Sequence, residues 1–288
     1  MLNGKIVKGI GGLYFVNTDR GMLKCSVRGV FRKNNLTPTV GDYVKVALLK
    51  DNNAVIEEIL ERKNILIRPR VANIDCAIIT FSIISPNINI DLLDRFLILA
   101  ESQNIENIIV CINKSDLACE DDINLIKSMY KDIYPIIFTS TFKNTGIEEL
   151  KTLINKKITV FAGPSGVGKS SLINSILPNV TLKTGDISKK IERGKHTTRQ
   201  VELLEAWEDT YIVDSPGFTS LTIDFIGEDN LDFYFKEFRQ FLGDCKFSDC
   251  KHIHEPGCAI KHQIDENISN ERYIRYTKLL NELSERKC

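Results

Sequence analysis

The stretch of this chain best suited to chemistry runs Gly163-Pro164-Ser165-Gly166-Val167-Gly168-Lys169-Ser170-Ser171. It fits G-x-x-x-x-G-K-[ST], in which glycines let backbone N–H groups converge on phosphate oxygens. Lys169 is placed to reach β- and γ-phosphates, Ser170 to ligate Mg²⁺, and Ser171 to extend the same phosphate site. An apolar strand pattern, Ile158 to Ala162, precedes the loop and a helical pattern, Lys169 to Leu177, follows it. That is the context a phosphate loop requires, and it disfavours an incidental Gly-rich turn.

A phosphate loop does not choose among nucleotides. Asn113-Lys114-Ser115-Asp116 follows the strand pattern Ile108 to Ile112 and resembles the NKxD base-recognition motif of GTPases. The Asp116 carboxylate would accept from the guanine N1–H and exocyclic amine. Adenine presents an acceptor at N1 and no 2-amino group, and a site that leaves a buried polar group unpaired discriminates by roughly 10⁴–10⁵. Asn113 would contact the base and hold the loop, with the Lys114 stem over the ring and Ser115 completing the turn. Ser140, in Thr139-Ser140-Thr141, lies where such proteins place a loop whose backbone N–H meets the guanine oxygen. An ATPase or small-molecule kinase is disfavoured by Asn113 and Asp116.

Two further stretches suit the γ-phosphate and its metal. Asp214-Ser215-Pro216-Gly217 matches D-x-x-G, with Asp214 holding Mg²⁺ through water and the Gly217 N–H sensing the γ-phosphate. The polar stretch Gly194 to Arg199 fits a first switch, in which a threonine completes Mg²⁺ coordination. Thr198 is favoured and Thr197 is the alternative. Many GTPases place a water-orienting glutamine after the D-x-x-G glycine, but here that residue is Phe218. His196 is then the candidate catalytic group, because imidazole can orient or accept from water near neutral pH. A solvent-exposed loop histidine is the competing reading.

A third constellation is Cys245, Cys250, His252 and Cys258. Three thiolates and an imidazole suit one tetrahedral, closed and structural Zn²⁺. His254 is a rival ligand and an iron–sulfur centre a minor alternative. In a reducing compartment such a cluster points to a metal before a disulfide.

The elements that must position these groups fall into three blocks. Residues 1–63 read as short strands at Ile6-Val7, Leu13 to Val16, Cys25 to Phe31, Tyr43 to Leu48 and Ala54 to Ile59, as in an OB-fold barrel. Ten Lys/Arg against six Asp/Glu in residues 1–62 suit an RNA-binding module, though a solvated barrel fits too. In 64–223, apolar strands (Asp75 to Phe81, Ile108 to Ile112, Pro135 to Phe138, Ile158 to Ala162, Tyr211 to Val213) alternate with helical patterns. The helices are expected over Asp91 to Gln103, Glu120 to Tyr130, Gly146 to Asn155 and Lys169 to Leu177, giving an α/β domain with a parallel sheet covered on both faces. Residues 224–288 hold an aromatic helical stretch, Phe233 to Leu242, the Cys/His cluster and a last helix from Asn270 to Ser284. The 38 basic and 38 acidic residues balance, so any nucleic-acid surface is a local patch. No apolar run reaches the length of a membrane span, and Met1 to Tyr14 lacks a signal-peptide core, so a cytoplasmic chain without a membrane partner is expected.

The order of the motifs is unusual: 113–116 and Ser140 precede 163–170, 194–199 and 214–217. This is a circular permutation, with the usual ends joined through Gly146 to Lys157 and the chain reopened after Asp214–Gly217, beside the C-terminal block. With NKSD, GPSGVGKS, GKHTTR and DSPGF in that order and the cysteine cluster after them, the chain resembles the ribosome small-subunit-dependent GTPase A family, RsgA or YjeQ, over almost its whole length. The resemblance implies an OB-fold, a permuted GTPase domain and a zinc domain. It also implies binding of GTP and GDP, Mg²⁺ with GTP, His252 as the fourth zinc ligand, and action as a monomer on the small ribosomal subunit and its rRNA late in maturation. Hydrolysis would be weak alone and stimulated by the subunit. A nucleotide-gated RNA-binding scaffold with incidental hydrolysis is the other reading, which Phe218 keeps open.

Base choice gives a direct test. Asp116→Asn is expected to weaken guanine binding and favour xanthine nucleotides, because the amide donates to the xanthine 2-oxo group. Competition among GTP, XTP and ATP measures this, and unchanged GTP preference removes Asp116 from the base site.

Overall fold

The computed structural model describes residues 1–28, 31, 36–49, 54–67, 69–177, 201–214 and 226–285. The N-terminal strands are β1 (Leu2–Ile10), β2 (Leu13–Thr18), β3 (Gly21–Val27), β4 (Tyr43–Leu48) and β5 (Ala54–Ile59). They run in the order β1-β2-β3-β5-β4, and β4 pairs back to β1, so the barrel is closed. Every pairing is antiparallel except β3 with β5, the Greek-key crossing of an OB-fold. Alternation places Ile6, Val16, Cys25, Val44, Val46 and Ile56 inside. The third strand begins at Gly21 rather than at the expected Cys25. Thr18 Oγ1 accepts from Arg20 N–H and donates to the Gly21 carbonyl, and Gly21, at φ 91°, closes a turn that leads straight into the strand.

After a short hairpin, β6 (Ile65–Ile67) and β7 (Arg70–Ala72), the central domain alternates as its periodicity requires. Its elements are β8 (Cys76–Ser82), α1 (Ile90–Ser102), β9 (Asn107–Asn113), α2 (Glu120–Tyr130), β10 (Ile136–Phe138), α3 (Ile147–Ile154), β11 (Ile158–Ala162), α4 (Lys169–Ile176), β12 (Glu202–Trp207) and β13 (Thr210–Asp214). Strands β10-β9-β8-β11-β13 are parallel. Ala77, Ile79 and Phe81 of β8 pack with Phe96 of α1 and Tyr130 of α2, while Cys76 and Ile78 pack with Leu150 of α3 and Leu172 of α4. The alternation expected of a doubly covered sheet is thus present residue by residue. Strand β12 is absent from the sequence reading. It pairs antiparallel with β13 and touches β1 of the barrel at Lys8↔Glu202, so barrel and sheet form one eleven-stranded surface. Asn73 fastens the joint: its Oδ1 accepts from Lys63 N–H and its Nδ2 donates to the Gly41 carbonyl, both at 2.9 Å.

The C-terminal block contains α5 (Ala259–His262) and α6 (Asn270–Glu285). The expected helix over Phe233 to Leu242 is replaced by 3₁₀ turns at Asp232–Tyr234 and Lys236–Phe241. Phe235, in extended backbone between the two turns, and Phe238 of the second are buried together with ring centroids 5.3 Å apart. Beneath them lies a largely buried ion network. Asp94 of α1 accepts from Tyr130 Oη (2.6 Å), Arg272 Nη1 (2.5 Å) and Arg275 Nε (2.5 Å). Arg272 also grips both Glu237 oxygens and lies under the Phe235 ring at 4.6 Å. Burial alone would lower the Arg272 pKa, but Asp94 and Glu237 lift it well above the ordinary value. One guanidinium therefore joins the central domain to the C-terminal block.

Arg272→Met leaves Asp94 and Glu237 buried with a partner missing. A loss of about 3–5 kcal/mol is expected in urea unfolding. A change below about 1 kcal/mol rules the network out as the joint.

Candidate nucleotide site and metal cluster

Strand β11 ends at Ala162, and the phosphate loop turns over the neighbouring β8. Gly163, at φ 140°, sits so close to the Thr80 carbonyl that a Cβ there would lie 2.0 Å from its oxygen. Gly168, at φ 94°, faces Asn113, and a Cβ would lie 2.4 Å from Nδ2. Both positions need glycine for approach as well as for conformation. The loop then enters α4, whose first residue is Lys169. Lys169 Nζ donates to the carbonyls of Gly163 (2.8 Å) and Pro164 (2.6 Å), and burial lowers its pKa to about 8. Below that pH it is a cation held over the loop, and an approaching anion would keep it protonated at higher pH. Ser170 and Ser171 follow in the first turn, both half-buried.

Strand β9, two positions across the sheet from β11, ends on buried Asn113. Its Nδ2 donates to the Val167 carbonyl of the phosphate loop (2.9 Å), and its Oδ1 accepts from Thr139 Oγ1 (3.1 Å). Lys114, at φ 57°, reaches back to donate to the Gly166 carbonyl (2.8 Å) and to the Ser85 carbonyl. The Ser115 N–H is tied to the Thr139 carbonyl (3.0 Å), and Ser140 Oγ donates to Asp116 Oδ1. The Ser140 N–H is engaged by the Thr145 carbonyl (3.0 Å). The three separated segments 113–116, 139–140 and 163–169 are thus one hydrogen-bonded assembly. The orienting role of Thr139 and the wall at Ser85 had no sequence signal, because both act through geometry 26 and 29 residues from their partners.

Asp214 ends β13, which runs parallel to β11 with Thr159 level with Ile212. Its carboxylate therefore stands at the same end of the sheet as the phosphate loop, where open α/β sheets bind ligands. Thr197, Thr198, His196, Gly217 and Phe218 lie outside the described residues.

In the C-terminal block the ligand atoms of Cys245, Cys250, His252 and Cys258 all lie within 4.8 Å of one another. His252 Nδ1 is 3.6 Å from Cys245 Sγ and 3.4 Å from Cys258 Sγ, while Nε2 meets Asp232 Oδ2 at 3.2 Å. A carboxylate on the far nitrogen is how ligating imidazoles are oriented. His252, at φ 60°, is buried within the group, whereas His254 is exposed and outside it. Backbone N–H groups of Ala259 and Lys261 point at Cys245 and Cys258 sulfurs (3.3 and 3.5 Å), as thiolates require. Asp232 was missed in the sequence, lying 20 residues from its histidine.

The geometry agrees with comparisons to known proteins. The RsgA GTPase family model matches residues 59–224 and the RsgA N-terminal domain model residues 3–56. A protein of Caldanaerobacter subterraneus named small ribosomal subunit biogenesis GTPase RsgA is 48% identical, over 99% of this chain and 97% of its own. One of the same name from Alkaliphilus metalliredigens is 46% identical over 98% of each. The crystal structure of YjeQ from Thermotoga maritima superposes with a TM-score of 0.86 at 38% identity, covering 98% of both chains. YloQ, described as a circularly permuted GTPase, gives 0.83 at 37% identity over 100% of this chain and 97% of its own. Matched by both family models and 46–48% identical to these relatives over nearly its whole length, this chain belongs to the RsgA GTPase family.

Proposed function

We propose that this chain binds GTP in the assembly of loops described above, hydrolyses it to GDP and phosphate, and does so on the small ribosomal subunit during its late maturation. The observation that carries the reading is the bond from Asn113 to the Val167 carbonyl, which brings a guanine-type base loop against a phosphate loop. In this reading Gly163 to Ser171 hold the phosphates and Asn113 to Asp116 hold the base. Asp116 is steadied by Ser140, and the next amide, Thr141, is offered to the guanine oxygen. Ser170, Thr198 and Asp214 hold Mg²⁺, with Gly217 at the γ-phosphate; a hydroxyl and a carboxylate at one sheet end are the hard oxygen donors that ion takes. The ion supplies charge neutralisation on the phosphates, and Lys169 adds the chain's own positive charge there.

The domains are proposed as 1–63, 64–223 and 224–288, acting as a monomer in the cytoplasm, with rRNA contacted through the barrel. The names of the relatives support the ribosomal partner. Among the described residues no helix is long and apolar enough to cross a membrane. GTP turnover with and without purified small subunits tests the activity, and stimulation by the subunit is expected. His196→Ala is expected to cut the stimulated rate by roughly 10-fold or more while leaving GTP affinity unchanged. Turnover that ignores the subunit favours the scaffold reading, and stimulation that survives in the variant places the water-orienting group elsewhere.

One structural Zn²⁺ per chain is proposed on Cys245, Cys250, His252 and Cys258, supported by the mutual approach of their ligand atoms. Elemental analysis is expected to give about one equivalent, lost in Cys250→Ala and His252→Ala and kept in His254→Ala. Less than about a tenth of an equivalent in the unaltered protein sinks the assignment.

A further inference from the structure

Three charged side chains stand in a row across three neighbouring strands. Strand β13 ends on Asp214, β12 begins on Glu202, and the two are directly opposed in antiparallel register. Glu202 is opposed on its other side by Lys8 of β1, whose Nζ lies 2.6 Å from Glu202 Oε2. Opposed residues on antiparallel strands share a face, with Cβ atoms about 4.5–5.5 Å apart. The row therefore runs along one face, from the barrel to the carboxylate assigned to magnesium. A register shift in β1 between Ile6 and Lys8 lets Ile6 and Val7 both turn into the core. Lys8 emerges from that irregularity against β12, the use to which bulges are commonly put.

Two carboxylates opposed this closely repel each other, and Lys8, paired with Glu202, offsets part of that repulsion. We infer that Glu202 and Lys8 are positioning residues for the magnesium-dependent reaction. Glu202 adds negative charge beside Asp214, Lys8 tempers it from the barrel, and the pair sets how tightly the nucleotide-bound site holds its divalent cation. The inference rests on the assignment of Asp214 to magnesium made above. Both side chains are about one-third exposed, at 31% and 35%, so the field between them and Asp214 is partly screened and acts at the level of several-fold changes. A barrel residue thereby belongs to the metal site without touching the metal. Anything that draws β1 off β12 takes the Lys8 charge away from Glu202 and tightens the hold on the cation.

The experiment is a Mg²⁺ titration of the full chain loaded with a fluorescent, non-hydrolysable GTP analogue. Lys8→Met is expected to lower the half-saturating Mg²⁺ concentration about 3- to 10-fold and Glu202→Gln to raise it by a similar factor. The double variant should return to within about 2-fold of the unaltered protein, and Lys8→Arg should leave the value unchanged. The decisive variant is the charge swap K8E/E202K. It keeps an ion pair between barrel and sheet but sets a positive charge beside Asp214, so the half-saturating concentration should rise more than for Glu202→Gln. If the pair only clips the barrel in place, the swap restores the original value and the two single variants shift together or not at all, which overturns the inference. Asp214→Asn run alongside should raise the Mg²⁺ requirement sharply. If it does not, the magnesium assignment falls and the inference with it. If it does while the Lys8 and Glu202 variants change nothing, the inference alone falls.

Discussion

The amide of Asn113 has both ends committed, and the site is built around that commitment. Its nitrogen holds the phosphate loop at Val167 and its oxygen is held by Thr139. The orientation of the amide follows from its partners: the Val167 carbonyl can only accept, so the nitrogen must face it, and the Thr139 hydroxyl serves the oxygen. Three segments that are distant along the chain are thereby fixed at one end of the sheet's strands. The contact is close enough that Gly168 has no room for a Cβ beside that amide. Circular permutation leaves this arrangement untouched, because it depends on which strand ends are neighbours and not on the order in which the chain visits them.

The central domain was legible because its signals are local. An apolar run followed by glycines, a lysine and a serine dictates strand, loop and helix, and α2 has the expected bounds, Glu120–Tyr130. The barrel is legible as a set of strands, but the start of its third strand at Gly21 is not, since the turn that starts it relies on the Thr18 hydroxyl and not on a hydrophobic pattern. Strand β12 was hidden in a stretch that also invites a helix: Leu203, Leu204 and Trp207 sit among glutamates at spacings both structures accept. The choice was made by β13, which supplies a partner edge. In the C-terminal block the aromatic run suggests a helix because aromatic spacing alone does not separate α from 3₁₀ turns. The demand of Arg272 for Glu237, and of His252 for Asp232, is tertiary and has no trace in spacing.

Two different physical joints tie the flanking domains to the centre. On the barrel side the joint is a backbone ladder with polar fastenings: Asn73 between Lys63 and Gly41, Asn17 donating to the Tyr211 hydroxyl at 2.8 Å, and Lys5 over the Tyr211 ring at 4.1 Å. On the C-terminal side it is a desolvated ion cluster under aromatic rings, with Asp94 and Arg272 both fully buried. Separating the buried ion pair strands charges in a medium that cannot solvate them.

The eleven-stranded surface also decides where this protein is open to unwanted pairing. At one end it curls into a closed barrel, which abolishes the edge there. At the other end the outermost strand is β10, only three residues long, Ile136–Phe138. A sheet this wide would ordinarily present a long row of unpaired N–H and C=O groups to a second molecule. Among the described residues that row is reduced, at this end of the sheet, to a single short strand, so edge-to-edge association between copies finds little template there.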